Sequence, residues 1–162
     1  MKVLALGGSG GMGRYAVQYL HNIKQIEKIY VADVNSLSAK KFASHFDNRV
    51  EGLKLDIRDF ETLKSEMSKV DIVVNTTGPF FLFAESILKA AIQTNTHYFD
   101  ICDDWEPTEK MLQMNEDAKK ANITAIIGLG ASPGLTNILA HIAISELDKV
   151  RKVYTGWDMS AA

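Results

Sequence analysis

The chain has 162 residues, 46% hydrophobic and 23% charged, a balance expected of one globular domain large enough to bury a core. Its formal net charge of −2, with lysines and carboxylates interspersed, excludes the strongly basic surface that nucleic-acid or anionic-membrane binding requires. The single cysteine, Cys102, excludes an intramolecular disulfide framework and fits a reducing compartment, so the expected location is cytoplasmic. No apolar run reaches the ~18 residues of a membrane span, and four scattered histidines with one cysteine offer no metal-ligand spacing.

The first predicted element is the apolar run Met1 to Leu6, read as a strand. Gly7-Gly8-Ser9-Gly10-Gly11-Met12-Gly13 follows at once, and the spacing Ala16, Val17, Leu20 then predicts a helix over about 12–23. A strand leading straight into such a loop is not a signal peptide. Inside the loop lies Gly8-x-Gly10-x-x-Gly13, the dinucleotide-binding fingerprint. Gly8 allows the turn out of the strand, Gly10 lets a pyrophosphate approach the backbone, and Gly13 lets the helix pack on the strand. Unpaired amides and partial positive charge at the helix start, around Ser9, Gly11 and Met12, suit a diphosphate.

Lys28 to Ala32 reads as the second strand and ends in Asp33, twenty positions beyond Gly13. The fingerprint expects an acidic residue there to accept hydrogen bonds from the adenosine ribose hydroxyls. Ser36 is the expected cap of a helix with Leu37, Ala39, Phe42, Ala43 and Phe46 on its apolar side. Val50 to Leu55 is a third strand ending in Asp56, and Asp59 caps a helix that places Phe60, Leu63 and Met67 on one face. Asp71 to Asn75 is a fully apolar parallel strand with a polar end.

Thr76-Thr77-Gly78-Pro79 breaks the chain before a helix from about Phe81 to Gln93. His97 to Asp100 is a fifth strand, and Asp104 to Asn122 reads as one long amphipathic helix with Pro107 in its first turn. Ile123 to Ile127 is a sixth strand, Gly128 to Gly134 a second glycine-bearing loop, and Leu135 to Leu147 a last helix. Val150 to Trp157 looks like the start of a seventh strand. Strict alternation implies an α/β fold with a doubly wound, Rossmann-type parallel sheet of six to seven strands, helices on both faces and strand order 3-2-1-4-5-6. Residues 1–150 form the dinucleotide-binding domain, and 151–162 read as a strand leading to a C-terminal domain absent from this chain.

In open parallel sheets the ligand lies outside the carboxyl ends of the strands. Gly8 to Gly13 and Asp33 fall on that rim; Asp56 and Ile57 flank the adenine, and Thr76, Thr77 and Gly78 run beneath the phosphates or nicotinamide ribose. Asp33 opposes the 2′-phosphate of NADP by like charge, which favours NAD, with Arg14, Asn35 and Lys40 close enough in sequence to temper the preference. An Asp at a strand end also caps helices, so Asp56, Asp59 and Asp104 have that alternative role. Cys102 lacks a neighbouring base or cation and is a plain small residue. No tyrosine has a lysine four residues on, no Gly-x-Ser-x-Gly elbow appears and no Walker lysine follows the glycines, so short-chain dehydrogenase, hydrolase and NTPase readings fall away.

Val3 to Gly13, Val73-Val74-Asn75-Thr76-Thr77-Gly78-Pro79-Phe80, Tyr98-Phe99-Asp100 and Gly130-Ala131-Ser132-Pro133-Gly134-Leu135-Thr136-Asn137 together resemble the nucleotide-binding domain of the saccharopine dehydrogenase-like family. The resemblance implies a pyridine nucleotide, a small amino-acid or secondary-amine substrate oxidised at carbon, and a second α/β domain. By position it places Gly78 and Pro79 near the nicotinamide, and Asp103 and Asp104 with Pro133, Gly134 and Asn137 along the substrate cleft. Asp103 is the candidate catalytic carboxylate, able to stabilise an iminium cation. Many relatives that use NADP carry an arginine after the second strand, where this chain has Val34 and Asn35. The competing reading is a non-catalytic dinucleotide sensor, and a homodimer is left open as an assembly.

Overall fold

The structure is a computed structural model that describes residues 1–156. Strands β1 (Lys2–Leu6), β2 (Lys28–Asp33), β3 (Val50–Lys54), β4 (Ile72–Asn75), β5 (His97–Asp100) and β6 (Ala125–Ile126) form one parallel sheet. Its order is β3-β2-β1-β4-β5-β6, as the alternation predicts. The central strands are apolar because both of their faces are covered. From β1, Val3 and Ala5 turn to one cluster with Val17, Val31, Ala39 and Phe42, while Leu4 and Leu6 turn to another with Leu63, Val73, Ile87 and Tyr98.

Helices α1 (Gly11–His21) and α2 (Ser36–Ala43) supply the first cluster; α3 (Phe60–Met67), α4 (Phe80–Gln93) and α5 (Trp105–Leu112) supply the second. In α4, Phe80, Ala84, Ile87, Leu88 and Ala91 are buried at helical spacing, so this helix packs a whole apolar stripe onto the sheet. At β3, Gly52 lets α2 approach closely, since an added Cβ would lie 2.5 Å from Lys40 N.

Several boundaries differ from the sequence reading. The cap of α2 is Asn35, whose side chain accepts from Ser38 N at 3.0 Å, and not Ser36, which is already helical. Asp59 caps α3 as expected, accepting from Thr62 N at 3.1 Å. α4 starts at Phe80, directly after Pro79. The long helix expected from Asp104 to Asn122 is two, α5 and α6 (Asn115–Lys120). Met114 sits at φ −82°, ψ 6°, and its amide bonds to Met111 O, so the i to i−4 ladder is interrupted there.

The sixth strand shrinks from Ile123–Ile127 to a two-residue edge. Beyond α7 (Leu135–Ser145), residues 152–156 have no regular structure, so the described part of the expected seventh strand is not formed. A two-residue edge strand gives such a strand little to pair with. Its end at Trp157 and the residues after it lie outside the described residues. No residue of α7 is buried, and the sheet face beyond α1 holds an apolar groove of about 460 Å³ that includes Tyr15, Tyr19, Ile72, Val74, Phe99 and Ile101.

Candidate dinucleotide site

The carboxyl ends of β1 to β4 open into one cleft of about 480 Å³. Gly10, Asp33, Asp56, Ile57, Thr76, Thr77 and Gly78, all expected from the sequence, line it together with Gly7, Val34, Arg58 and Phe83. Four separate strand ends therefore deliver the predicted cofactor residues to a single surface. Gly8, Ser9, Gly11, Gly13 and Pro79 stand behind or beside that lining, and the Met12 side chain turns to the apolar groove.

The loop after β1 is built by close backbone contacts. Gly7 takes φ +67°, and the Gly7 and Gly8 amides both donate to Ala32 O, at 2.9 and 3.3 Å. A Cβ on Gly13 would lie 2.2 Å from Gly7 O and 2.7 Å from Gly8 Cα, so α1 meets the loop only because residue 13 has no side chain. The N-terminus of α1 has neither a side-chain cap nor an acidic residue in its first turn. Among the described residues, the amides of Ser9, Gly11, Met12 and Gly13 have no acceptor within the chain. These donors and the helix dipole present partial positive charge. Thr77 Oγ1 is also buried without a hydrogen-bond partner, and a Cβ on Gly7 would stand 2.9 Å from it. An unfilled donor set of this kind fits a bound diphosphate.

At the end of β2, Ser9 Oγ donates to Asp33 Oδ2 at 2.5 Å, and the Asn35 amide donates to Asp33 Oδ1 at 3.0 Å. Among the described residues no ion pair reaches Asp33. Arg14 does not neutralise it; its Nε donates to Ser9 O at 2.7 Å, and the guanidinium lies over the Phe42 ring. Asp56 is gripped by Arg58, whose Nη2 stands 2.6 Å from Oδ2, and this partner holds its carboxyl down at about 2. Arg58 escaped the sequence reading; a cation two positions past Asp56 was the available signal.

The expected substrate wall lies apart from the cleft lining. Asp103 is exposed, and Asp104 Oδ2 accepts from Phe81 N at 2.9 Å, which makes it a cap for α4 rather than for its own helix. Pro133, Gly134 and Asn137 form a turn in which the Gly134 amide donates to Asn137 Oδ1 at 3.2 Å. The Gly78–Pro79 and Ser132–Pro133 peptide bonds are both cis. Cys102 is buried, and burial pushes its thiol up, as suits an inert core residue. His97 serves structure, its Nδ1 accepting from Thr124 N at 2.9 Å. Among the described residues no group of three or more potential metal ligands gathers, and no helix is long and apolar enough to cross a membrane.

Three comparisons bear on this geometry. The family described as the saccharopine dehydrogenase NADP binding domain matches residues 3–126. A Caenorhabditis elegans protein named lipid droplet localized protein is 28% identical over 158 residues, which cover 91% of this chain and 36% of that protein. The Schizosaccharomyces pombe saccharopine dehydrogenase (NADP(+), L-glutamate-forming) is 26% identical over 149 residues, covering 92% of this chain and 32% of the relative. In structure, the apo saccharopine dehydrogenase (L-Glu forming) of Saccharomyces cerevisiae superposes with a TM-score of 0.77 at 23% identity. That match covers 90% of this chain and 31% of the yeast chain. The chain thus spans about a third of the length of these relatives.

Proposed function

The chain belongs to the saccharopine dehydrogenase NADP binding domain family, and on that premise we propose that it binds a nicotinamide dinucleotide in the cleft at the ends of β1 to β4. The observation that supports this most is the uncapped, acid-free start of α1, which opens beside the unpartnered Thr77 hydroxyl. In this reading the amides from Ser9 to Gly13 hold the diphosphate and Asp33 accepts the adenosine ribose hydroxyls. Asp56 and Ile57 flank the adenine, and Thr76 to Pro79 run under the nicotinamide half.

The family is described by NADP, yet we propose NAD(H) as the preferred cofactor of this chain. Asp33 sits where a 2′-phosphate would come, both of its oxygens are already fixed, and no cation offsets its charge among the described residues. Bringing a phosphate to that carboxylate costs like-charge repulsion that no nearby group relieves.

The chemistry proposed for the whole protein is hydride transfer at a C–N centre of a small amino acid or secondary amine, in a cytoplasmic setting. The pyridine nucleotide supplies the hydride acceptor or donor. This chain's residues bind and orient it, and exposed Asp103 is the carboxylate proposed to stabilise an iminium, beside Asp104, Pro133, Gly134 and Asn137. Dinucleotide binding is the activity expected of this chain alone, with turnover nil or very low. Calorimetric titration with NADH and NADPH tests the reading. Saturable binding with NADH tighter supports it, absence of binding by both removes it, and tighter NADPH removes the role given to Asp33.

A further inference from the structure

Asp100 is a carboxylate only 1% exposed in the sheet interior, and among the described residues no ion pair reaches it. Such a group is costly to bury unless hydrogen bonds satisfy it. Here they do. Tyr98 Oη donates to Asp100 Oδ2 at 2.8 Å, and Oδ1 accepts from the amides of Cys102 at 3.0 Å and Gly128 at 2.8 Å. The Asp100 carbonyl also accepts from Leu129 N at 2.7 Å.

The chain of bonds continues towards the cleft in one sense only. The Tyr98 hydroxyl spends its proton on Asp100, so Tyr98 Oη is left to accept from Asn75 Nδ2 at 3.0 Å. That orientation turns Asn75 Oδ1 to the Thr77 amide, 3.0 Å away. Asn75 and Tyr98 are fully buried. An unbroken polar wire therefore joins Thr77, in the cleft turn, to Gly128 and Leu129, which open the second glycine loop. Burial pushes the Tyr98 phenol well above its ordinary range, so the hydroxyl keeps the proton it donates at neutral pH.

We infer that Asp100 is a positioning residue for the nicotinamide half of the cofactor: through Tyr98 and Asn75 it sets the Thr77–Gly78 turn, and through the Gly128 amide it ties that turn to the start of the second glycine loop. This rests on the dinucleotide reading above. The adenosine half, built on Gly10, Asp33 and Asp56, lies outside the wire. Asp100 therefore governs one half of the ligand and leaves the other alone, which a purely structural buried network would not do.

The test compares NADH with AMP, which lacks the nicotinamide, its ribose and the second phosphate, on the wild type and on Tyr98→Phe and Asp100→Asn. Each variant is expected to bind AMP within about twofold of wild type and NADH about tenfold more weakly. Equal losses for both ligands, or unchanged NADH binding, would overturn the inference. A measurement on the wild type covers the case in which the variants fail to fold. NADH, and not AMP, is expected to slow amide hydrogen exchange at Thr77, Gly128 and Leu129. Equal slowing by the two ligands, or none by NADH, overturns the inference while leaving the cofactor reading intact. If the wild type binds neither ligand, the cofactor reading falls and this inference falls with it.

Discussion

Ser9 gives its hydroxyl hydrogen to Asp33 Oδ2, 2.5 Å away, and so ties the glycine loop after β1 to the end of β2. The bond uses a side chain from the glycine loop to hold the carboxylate proposed to read the ribose. With Asn35 N on the other oxygen, Asp33 has a single orientation before any ligand arrives. Removing the carboxylate charge by Asp33→Asn should lower NADH affinity and raise NADPH affinity, shifting the ratio of dissociation constants by at least about tenfold. Ser9→Ala should weaken NADH several-fold without improving NADPH. Fluorescence titration reads both, and an unchanged ratio in Asp33→Asn would contradict the charge argument.

Two glycines of the loop predict opposite effects on stability. At Gly13 a Cβ would overlap the Gly7 carbonyl and Gly8 Cα, which are backbone and cannot rotate away. Gly13→Ala should therefore destabilise by about 1–3 kcal/mol. At Gly11, the first helical residue, nothing lies within 4 Å of the added carbon. Gly11→Ala should be neutral or stabilising by up to about 1 kcal/mol, through the entropy of the unfolded chain. Urea denaturation of the two variants settles the order, and equal stabilities would contradict the packing.

Asp59 holds the start of α3 with both oxygens, accepting from Thr62 N at 3.1 Å and Thr62 Oγ1 at 2.6 Å. Asp59→Ala should lower the urea denaturation midpoint, as loss of a helix cap does. Asn35→Ala should lower it by a similar amount and Ser36→Ala hardly at all, which separates the observed cap of α2 from the neighbour the sequence suggested.

Arg58 lowers Asp56 to about 2. A carboxyl depressed on folding contributes stability that is present above its unfolded value and lost as pH falls through the folded one. The Asp56–Arg58 contribution should therefore persist at neutral pH and fade between roughly pH 4 and 2. Because both groups are solvent-exposed, the sharper readout is the titration itself. An NMR midpoint for Asp56 near 2 that returns to the ordinary carboxylate range in Arg58→Ala is expected. An ordinary midpoint in the wild type would show that the pair does not form.

The strand order was readable because most strands are short apolar runs that end at or near Gly, Asn or Asp, and strict alternation with helices leaves few topologies open. The cleft was readable for the same reason, since residues just past parallel strands share one rim. Other features depend on distances that spacing does not encode. Asn35 and Ser36 are both good caps, and only the reach of Asn35 Oδ1 to Ser38 N separates them. The apolar periodicity runs through the break at Met114, so nothing in the residue pattern marks it. Asp104 turned out to serve α4, a contact between elements far apart in sequence. Tyr98 and Asp100 did leave a trace, because residues two apart in a strand share a face. Their position inside a sheet covered by α4 and α5 made that polar pair a buried one.

The central claim is that the free amides at the start of α1 grip a dinucleotide diphosphate. Backbone amide NMR during NADH titration of the wild-type chain tests it most directly. Saturable shifts centred on Gly10, Gly11, Met12 and Gly13, with Asp33 and Thr77 following at the same ligand concentration, are the predicted result. Shifts confined to other regions, or none at saturating NADH, would contradict the account.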